Sequence, residues 1–167
     1  MNNKFVPDNF QVPEKLETDK FRLRPLTAND VDKDYEAVMS SVDYLRTVPT
    51  PPVCGDWPEK TLTREEDLED LKWHEKTHKS REIFTYTVMN LDESKCLGCV
   101  YIFPSDKIDY DAMIFSWVIE EEAKKGLDQE LYETVKNWLK TDWPFAKTIF
   151  PGRDISWEVW NNFTNKL

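Results

Sequence analysis

The chain has 167 residues, the size of one domain, and its 40% hydrophobic content with 7 Trp, 6 Tyr and 9 Phe argues against disorder. A formal charge of −10, from 22 basic and 32 acidic residues, disfavours nucleic acid as a partner and favours small cations. With no apolar run near the ~18 residues of a membrane span, no signal-peptide pattern at Met1 to Gln11 and only Cys54, Cys96 and Cys99 as thiols, a cytoplasmic protein without a membrane partner is expected.

Residues 1–18 read as an irregular arm, with Pro7 and Pro13 breaking it and Phe5, Val6, Phe10 and Val12 available to pin it down; a single domain over 19–167 follows. Phe21 to Arg24 alternates apolar and basic residues, a strand pattern that Pro25 ends. A helix is predicted near 29–41, capped by Thr27 or Asn29, with Val31, Tyr35, Val38 and Met39 at helical spacing. Thr47 to Pro58 holds four prolines and Gly55 and must be a loop, either a connector or a lid over a substrate site. Thr63 to Glu66 fits a capping box that starts a charged helix, with Leu68, Leu71, His74 and His78 on one broad face.

Phe84 to Met89, Leu97 to Phe103 and Ala112 to Ile119 are strand-like, joined by polar turns, and imply an antiparallel meander. After Gly126, the residues Leu127, Leu131, Val135, Trp138 and Leu139 define the apolar face of another helix, which Pro144 ends. Thr148 to Phe150 is a short strand, and Ser156 to Leu167 a terminal helix. The order predicts an α/β fold: a mixed, mostly antiparallel sheet flanked by helices.

This order resembles that of the GNAT superfamily of N-acetyltransferases. The resemblance is carried by Leu16 to Leu26 (LETDKFRLRPL), by Leu97-Gly98-Cys99-Val100-Tyr101-Ile102, and by Trp117-Val118-Ile119 followed by Gly126-Leu127, over roughly residues 16–150 by element order. It implies acetyl-CoA as co-substrate and acetyl transfer to an amine, whether a small molecule or a peptide. It also implies a cofactor slot where two parallel strands splay, and a diphosphate cradle of main-chain amides at the next helix start. The cofactor-binding candidates are Trp117, Val118, Ile119, Lys124, Lys125, Gly126, Leu127 and Asp128, with the Val118 and Ile119 amides polarising the thioester carbonyl. Glu120 is the first candidate base and Asp111 the second. The family's Gln/Arg-x-x-Gly-x-Gly/Ala loop is here Ala123 to Asp128: Ala123 replaces the basic residue, Asp128 the second small one, and Glu120, Glu121 and Glu122 add negative charge. No tyrosine follows Tyr132 to stand for the family's late acid. A GNAT-like module that binds without catalysing is the alternative.

Two motifs compete. His74-Glu75-Lys76-Thr77-His78 matches the zinc-hydrolase pattern H-E-x-x-H, although charged residues flank it. Cys96-Leu97-Gly98-Cys99 is a CxxC at a strand entry, where the two thiols face opposite sides and read as core. The aromatic cluster Trp138, Trp143, Phe145, Phe150, Trp157, Trp160 and Phe163 reads as core and cap, with a homodimer interface as its alternative.

Overall fold

The structure, a computed structural model, describes residues 4–167. Six strands form one sheet in chain order: β1 (Leu16–Glu17), β2 (Arg22–Pro25), β3 (Phe84–Met89), β4 (Cys96–Pro104), β5 (Ala112–Val118) and β6 (Thr148–Ile149). Every neighbouring pair is antiparallel except β5 with β6, which is parallel. Alternation assigns the side chains to two faces. Across β3, β4 and β5, the rows Thr85–Tyr101–Phe115 and Thr87–Cys99–Trp117 share one face, while Phe84–Ile102–Ile114 and Tyr86–Val100–Ser116 share the other.

The second face is an ordinary apolar core. Helix α5 (Leu127–Asp142) buries the predicted stripe Leu127, Leu131, Val135, Trp138 and Leu139 against it, with Trp138 edge-on to Tyr86 at 5.1 Å. Five such side chains stabilise the packing by roughly 1.5–3 kcal/mol each.

The first face is covered by α1 (Val31–Ser40), the single turn α2 (Val42–Leu45) and α3 (Arg64–Lys79). The capping box of α3 forms as expected: Thr63 Oγ1 accepts from Glu66 N–H, and Glu66 accepts from Thr63 N–H. The buried stripes differ from the apolar periodicity. α1 follows a 3₁₀ turn at Ala28–Asp30 and buries Val31, Asp34, Ala37 and Val38, with Tyr35 and Met39 half-buried. α3 buries Asp67, Leu71, His74 and Thr77. Carboxylates at these positions look solvent-facing in the sequence, because burial of an acid is the rare case.

Val6 is buried, and Tyr86 Oη donates to Pro13 C=O (2.6 Å), so residues 4–15 lie against the body. The terminal helix is shorter than predicted. α6 (Trp157–Asn161) is capped by Ser156, and past its end Lys166 N–H donates to Asp106 C=O, which holds the end of the chain on the turn after β4. Among the described residues no helix is long and apolar enough to cross a membrane.

Candidate functional site

β5 divides two compartments. Its parallel pairing with β6 covers only Ala112 and Met113. From Ile114 to Val118 its outer edge has no strand partner among the described residues. Ile119 N–H donates to Leu97 C=O (2.8 Å), so ladder alternation turns the N–H and C=O groups of Ser116 and Val118 toward that open edge. Arg153 reaches in from the turn after β6: its guanidinium donates to Ser116 C=O (3.3 Å) and forks onto Asp128 (2.7 and 2.8 Å). Ser116 Oγ is buried with no partner.

The segment after β5 is not the open loop that the sequence suggested. Residues Glu120–Lys124 form a helical turn, α4, favoured by good helix formers, by acids in its first turn and by i,i+4 ion pairs such as Lys124–Glu120 (2.9 Å). Its amides are used locally. Glu122 and Ala123 N–H donate to Ile119 C=O, Lys125 and Gly126 N–H to Glu122 and Ala123 C=O, and Glu120 N–H to Ser41 Oγ (2.9 Å). Gly126, at φ +90°, then reverses the chain into α5. The first α5 amide with an acceptor is that of Glu130, on Gly126 C=O (3.2 Å). The amides of Leu127, Asp128 and Gln129 are the unsatisfied donors of a helix start.

Tested against acetyl-CoA, the strand geometry suits an amide-bearing arm, since β5 has no strand partner past Met113 among the described residues and Val118 N–H points to that edge, although Ser116 and Val118 are buried in this structure. The donor set that suits its diphosphate is the first turn of α5 with Arg153, rather than the Gly126 loop. That use requires the Arg153–Asp128 pair to open. Arg153 escaped sequence reasoning because it is remote in the chain, although a basic residue in the turn Pro151-Gly152-Arg153 was the available signal.

The opposite face of β5 opens into a cavity of about 420 Å³. Its floor is the stack of Tyr101 on Phe115 (5.8 Å, 17°) and on Phe103 (6.1 Å, 10°). Its wall is α3, through Asp70, Trp73 and His74. The loop at 47–58 closes it with Pro51, Cys54 and Trp57, whose indole lies 5.8 Å from Trp117. The loop is held by Trp157 Nε1–H donating to Pro49 C=O (3.2 Å), over Gly152. Trp73 is 48% exposed, unusual for so large an apolar side chain.

Burial lowers the pKa of His74 below the usual imidazole value, and nearby Asp70 only partly offsets this. Its Nδ1 meets Thr85 Oγ1 at 2.8 Å and its Nε2 lies 3.5 Å from Asp70 Oδ2. Thr85 Oγ1 has no other partner among the described residues, which assigns its hydroxyl as donor to Nδ1 and leaves the proton on Nε2 facing Asp70. Behind this wall, burial and then Asp70 push Asp67 up to about 7. Burial, then Asp67 and Asp70, raise Asp34 well above the usual carboxylate range.

The two candidate bases are not brought together. Glu120 and Asp111 flank opposite ends of β5, about 30 Å apart at ~3.3 Å per residue. Asp111 Oδ2 accepts from Ala146 N–H (2.7 Å) and Lys147 N–H (2.9 Å) and so anchors the start of β6. Glu120 is half-exposed and paired with Lys124. The amide of Ile119 is spent on Leu97, whereas that of Val118 faces the slot. The zinc motif is also taken apart. His78 Nδ1 accepts from Thr85 N–H (3.2 Å), standing in for a strand partner past the end of β2, and Glu75 turns away to Ala28 N–H (2.8 Å). Among the described residues no group of three or more His, Cys, Asp or Glu is placed to hold a metal ion. Cys96 and Cys99 are buried and their thiols are raised by burial, while Cys54 is exposed.

In sequence, no family model and no curated protein matches the chain. Solved structures do match. RimL, a ribosomal L7/L12 alpha-N-protein acetyltransferase in complex with coenzyme A, aligns with TM-score 0.60 at 16% identity, over 77% of this chain and 70% of its own. MccE, a microcin C7 self-immunity acetyltransferase in complex with acetyl-CoA and AMP, gives 0.59 at 12%, over 77% and 67%. A ribosomal-protein-S5-alanine acetyltransferase from Vibrio fischeri gives 0.58 at 17%, over 75% and 66%. The chain thus spans about two thirds of the length of the structures it matches. At these identities the likeness concerns architecture, and it establishes that this chain has the GNAT fold.

Proposed function

We propose, from the premise of a GNAT fold, that this chain is an acetyl-CoA-dependent N-acetyltransferase whose acceptor amine enters the aromatic cavity. The observation that carries the proposal is the position of β5: Phe115 faces the cavity, and the next residue, Ser116, turns its main chain to the slot. One strand separates the two places where an amine and an acyl donor would meet. When bound, acetyl-CoA supplies the activated acetyl thioester.

The chain's residues would do the rest. Ser116 and Val118 would hold the amide-bearing arm along the open edge, and Val118 N–H would polarise the acyl carbonyl. Arg153 and the first turn of α5 would hold the diphosphate. Trp57, Tyr101 and Phe115 would exclude water from the amine. Asp70, the carboxylate on the cavity wall, would take the ammonium proton, with His74 Nε2–H holding it in place. Glu120, beyond the far end of β5, is the weaker candidate for that role.

The test is thiol release from acetyl-CoA over a panel of amines, together with calorimetry of acetyl-CoA binding. Asp70→Asn should lower kcat by about 100-fold, the usual worth of a general base, while Glu120→Gln stays near wild type. No thiol release with any amine, and no heat of acetyl-CoA binding, would overturn it. A second reading, a binding module without acyl transfer, is favoured by the Arg153–Asp128 pair and the spent amides of α4; the same calorimetry decides between the two.

A further inference from the structure

We propose that the cavity selects a small hydrophobic ammonium ion, an aryl-alkylamine in its cationic form, over neutral or anionic molecules of the same shape. The proposal rests on the reading that this face receives the acceptor, and it narrows that acceptor to a class.

The first observation is the inward face of α3. A helix laid on a sheet normally buries aliphatic groups, yet here Asp67, His74 and Thr77 are buried beside a single Leu71. α1 adds Asp34 from the facing helix. Asp34 and Asp67 are each only about 5% exposed, and Asp67 Oδ2 has no hydrogen-bond partner. Among the described residues neither acid takes part in an ion pair. Burial pushes both acids toward the neutral form, so they stand behind the cavity wall without adding fixed charge to it. The Asp70 carboxylate then brings negative charge to the cavity wall itself.

The second observation is the aromatic lining. Trp57, Trp73, Tyr101 and Phe115 present rings whose faces carry negative potential and attract a cation that has lost part of its water shell. Trp73 keeps nearly half its surface exposed while packing edge-on against His74 at 4.8 Å, so a ligand ring has apolar area still to cover. The volume of about 420 Å³ lies at the small end of ligand pockets, which run from about 300 to 1,000 Å³. The lining holds no lysine or arginine among the described residues, and burial disfavours a charged His74, so no fixed cation of the wall opposes an incoming ammonium group.

Phenethylammonium is the probe, with phenethyl alcohol and phenylpropionate as its neutral and anionic counterparts. Each is titrated into the full chain at neutral pH without any acetyl donor, by calorimetry and tryptophan fluorescence. The ammonium ion should bind at least about tenfold more tightly than the alcohol, and the carboxylate least, as desolvated cation–π contact and an adjacent carboxylate require. Asp70→Asn, at an exposed position, should remove most of that preference, and Trp73→Ala should weaken all three ligands. Equal binding of the alcohol, tighter binding of the carboxylate, or an unchanged preference in Asp70→Asn would each overturn the proposal. The two readings fail separately. Phenethylammonium bound selectively but never acetylated leaves the ligand class standing and removes acyl transfer. Acetylation of a hydrophilic amine by a protein that ignores phenethylammonium does the reverse.

Discussion

Replacing Asp67 with asparagine should stabilise the protein at alkaline pH and leave it unchanged in acid. The Asp67 carboxyl has one oxygen buried without a partner, and burial together with Asp70 raises it from 3.8 to about 7. A raised acid keeps its proton to higher pH in the folded chain than in the unfolded one. Its full contribution is therefore present below the unfolded value of 3.8 and is lost as pH climbs toward about 7. The shift sets an upper bound of about 4 kcal/mol on that loss, at about 1.36 kcal/mol per pKa unit. Relaxation of the protein around the charge, with an effective dielectric well above that of a dry interior, argues for about half, roughly 2 kcal/mol. Asparagine has the shape of the protonated acid and no charge to desolvate. Urea melts followed by tryptophan fluorescence should then show Asp67→Asn more stable than wild type by roughly 2 kcal/mol at about pH 8, with a difference near zero at about pH 4. Equal gains at both values, or no gain at the higher one, would refute the assignment of Asp67 as a carboxyl whose charge is poorly solvated in the folded chain.

Asp128→Asn should raise acetyl-CoA affinity about fivefold, since it frees Arg153 and removes a negative charge where an anion would sit; lower or unchanged affinity by calorimetry would argue for the pair as a permanent plug. Gly98→Ala places a Cβ 2.0 Å from Trp117 O on the neighbouring strand and should cost about 3 kcal/mol in urea melts, because β4 and β5 must separate. Gly152→Ala, strained at φ +86° and 2.8 Å from Trp157 Nε1, should lift the Pro49 end of the loop and weaken phenethylammonium binding by about fivefold with the fold retained, read by circular dichroism and titration.

The legible parts of the fold were those whose chemistry repeats along the chain. α5 showed an unbroken apolar stripe, α3 a complete capping box, and β3 to β5 dense runs of β-branched and aromatic residues between polar turns. The illegible parts lay where the buried pattern departs from apolar periodicity. Asp34 and Asp67 occupy core positions that an apolar pattern skips, so α1 and α3 were assigned rotated faces. The likeness to a phosphate loop covers Ala123 to Asp128 and leaves the acids before it unassigned, whereas Glu120 to Lys124 has helical propensity of its own. The slot and cavity joined residues distant in sequence: Arg153 to Asp128, and Trp57 to Trp117. Glu120 and Asp111 lie beyond the two ends of β5, and of the Val118 and Ile119 amides only that of Val118 points outward.

The brevity of β6 has a consequence for the behaviour of the chain in solution. A sheet border with free main-chain groups is a template on which another chain can lay a strand, and self-association usually begins there. Over Ile114 to Val118 that border is buried rather than bare, and the Arg153 guanidinium engages the Ser116 carbonyl that an invading strand would need. An incoming strand would have to displace this arginine, so replacing Arg153 with alanine should show first as turbidity at high protein concentration.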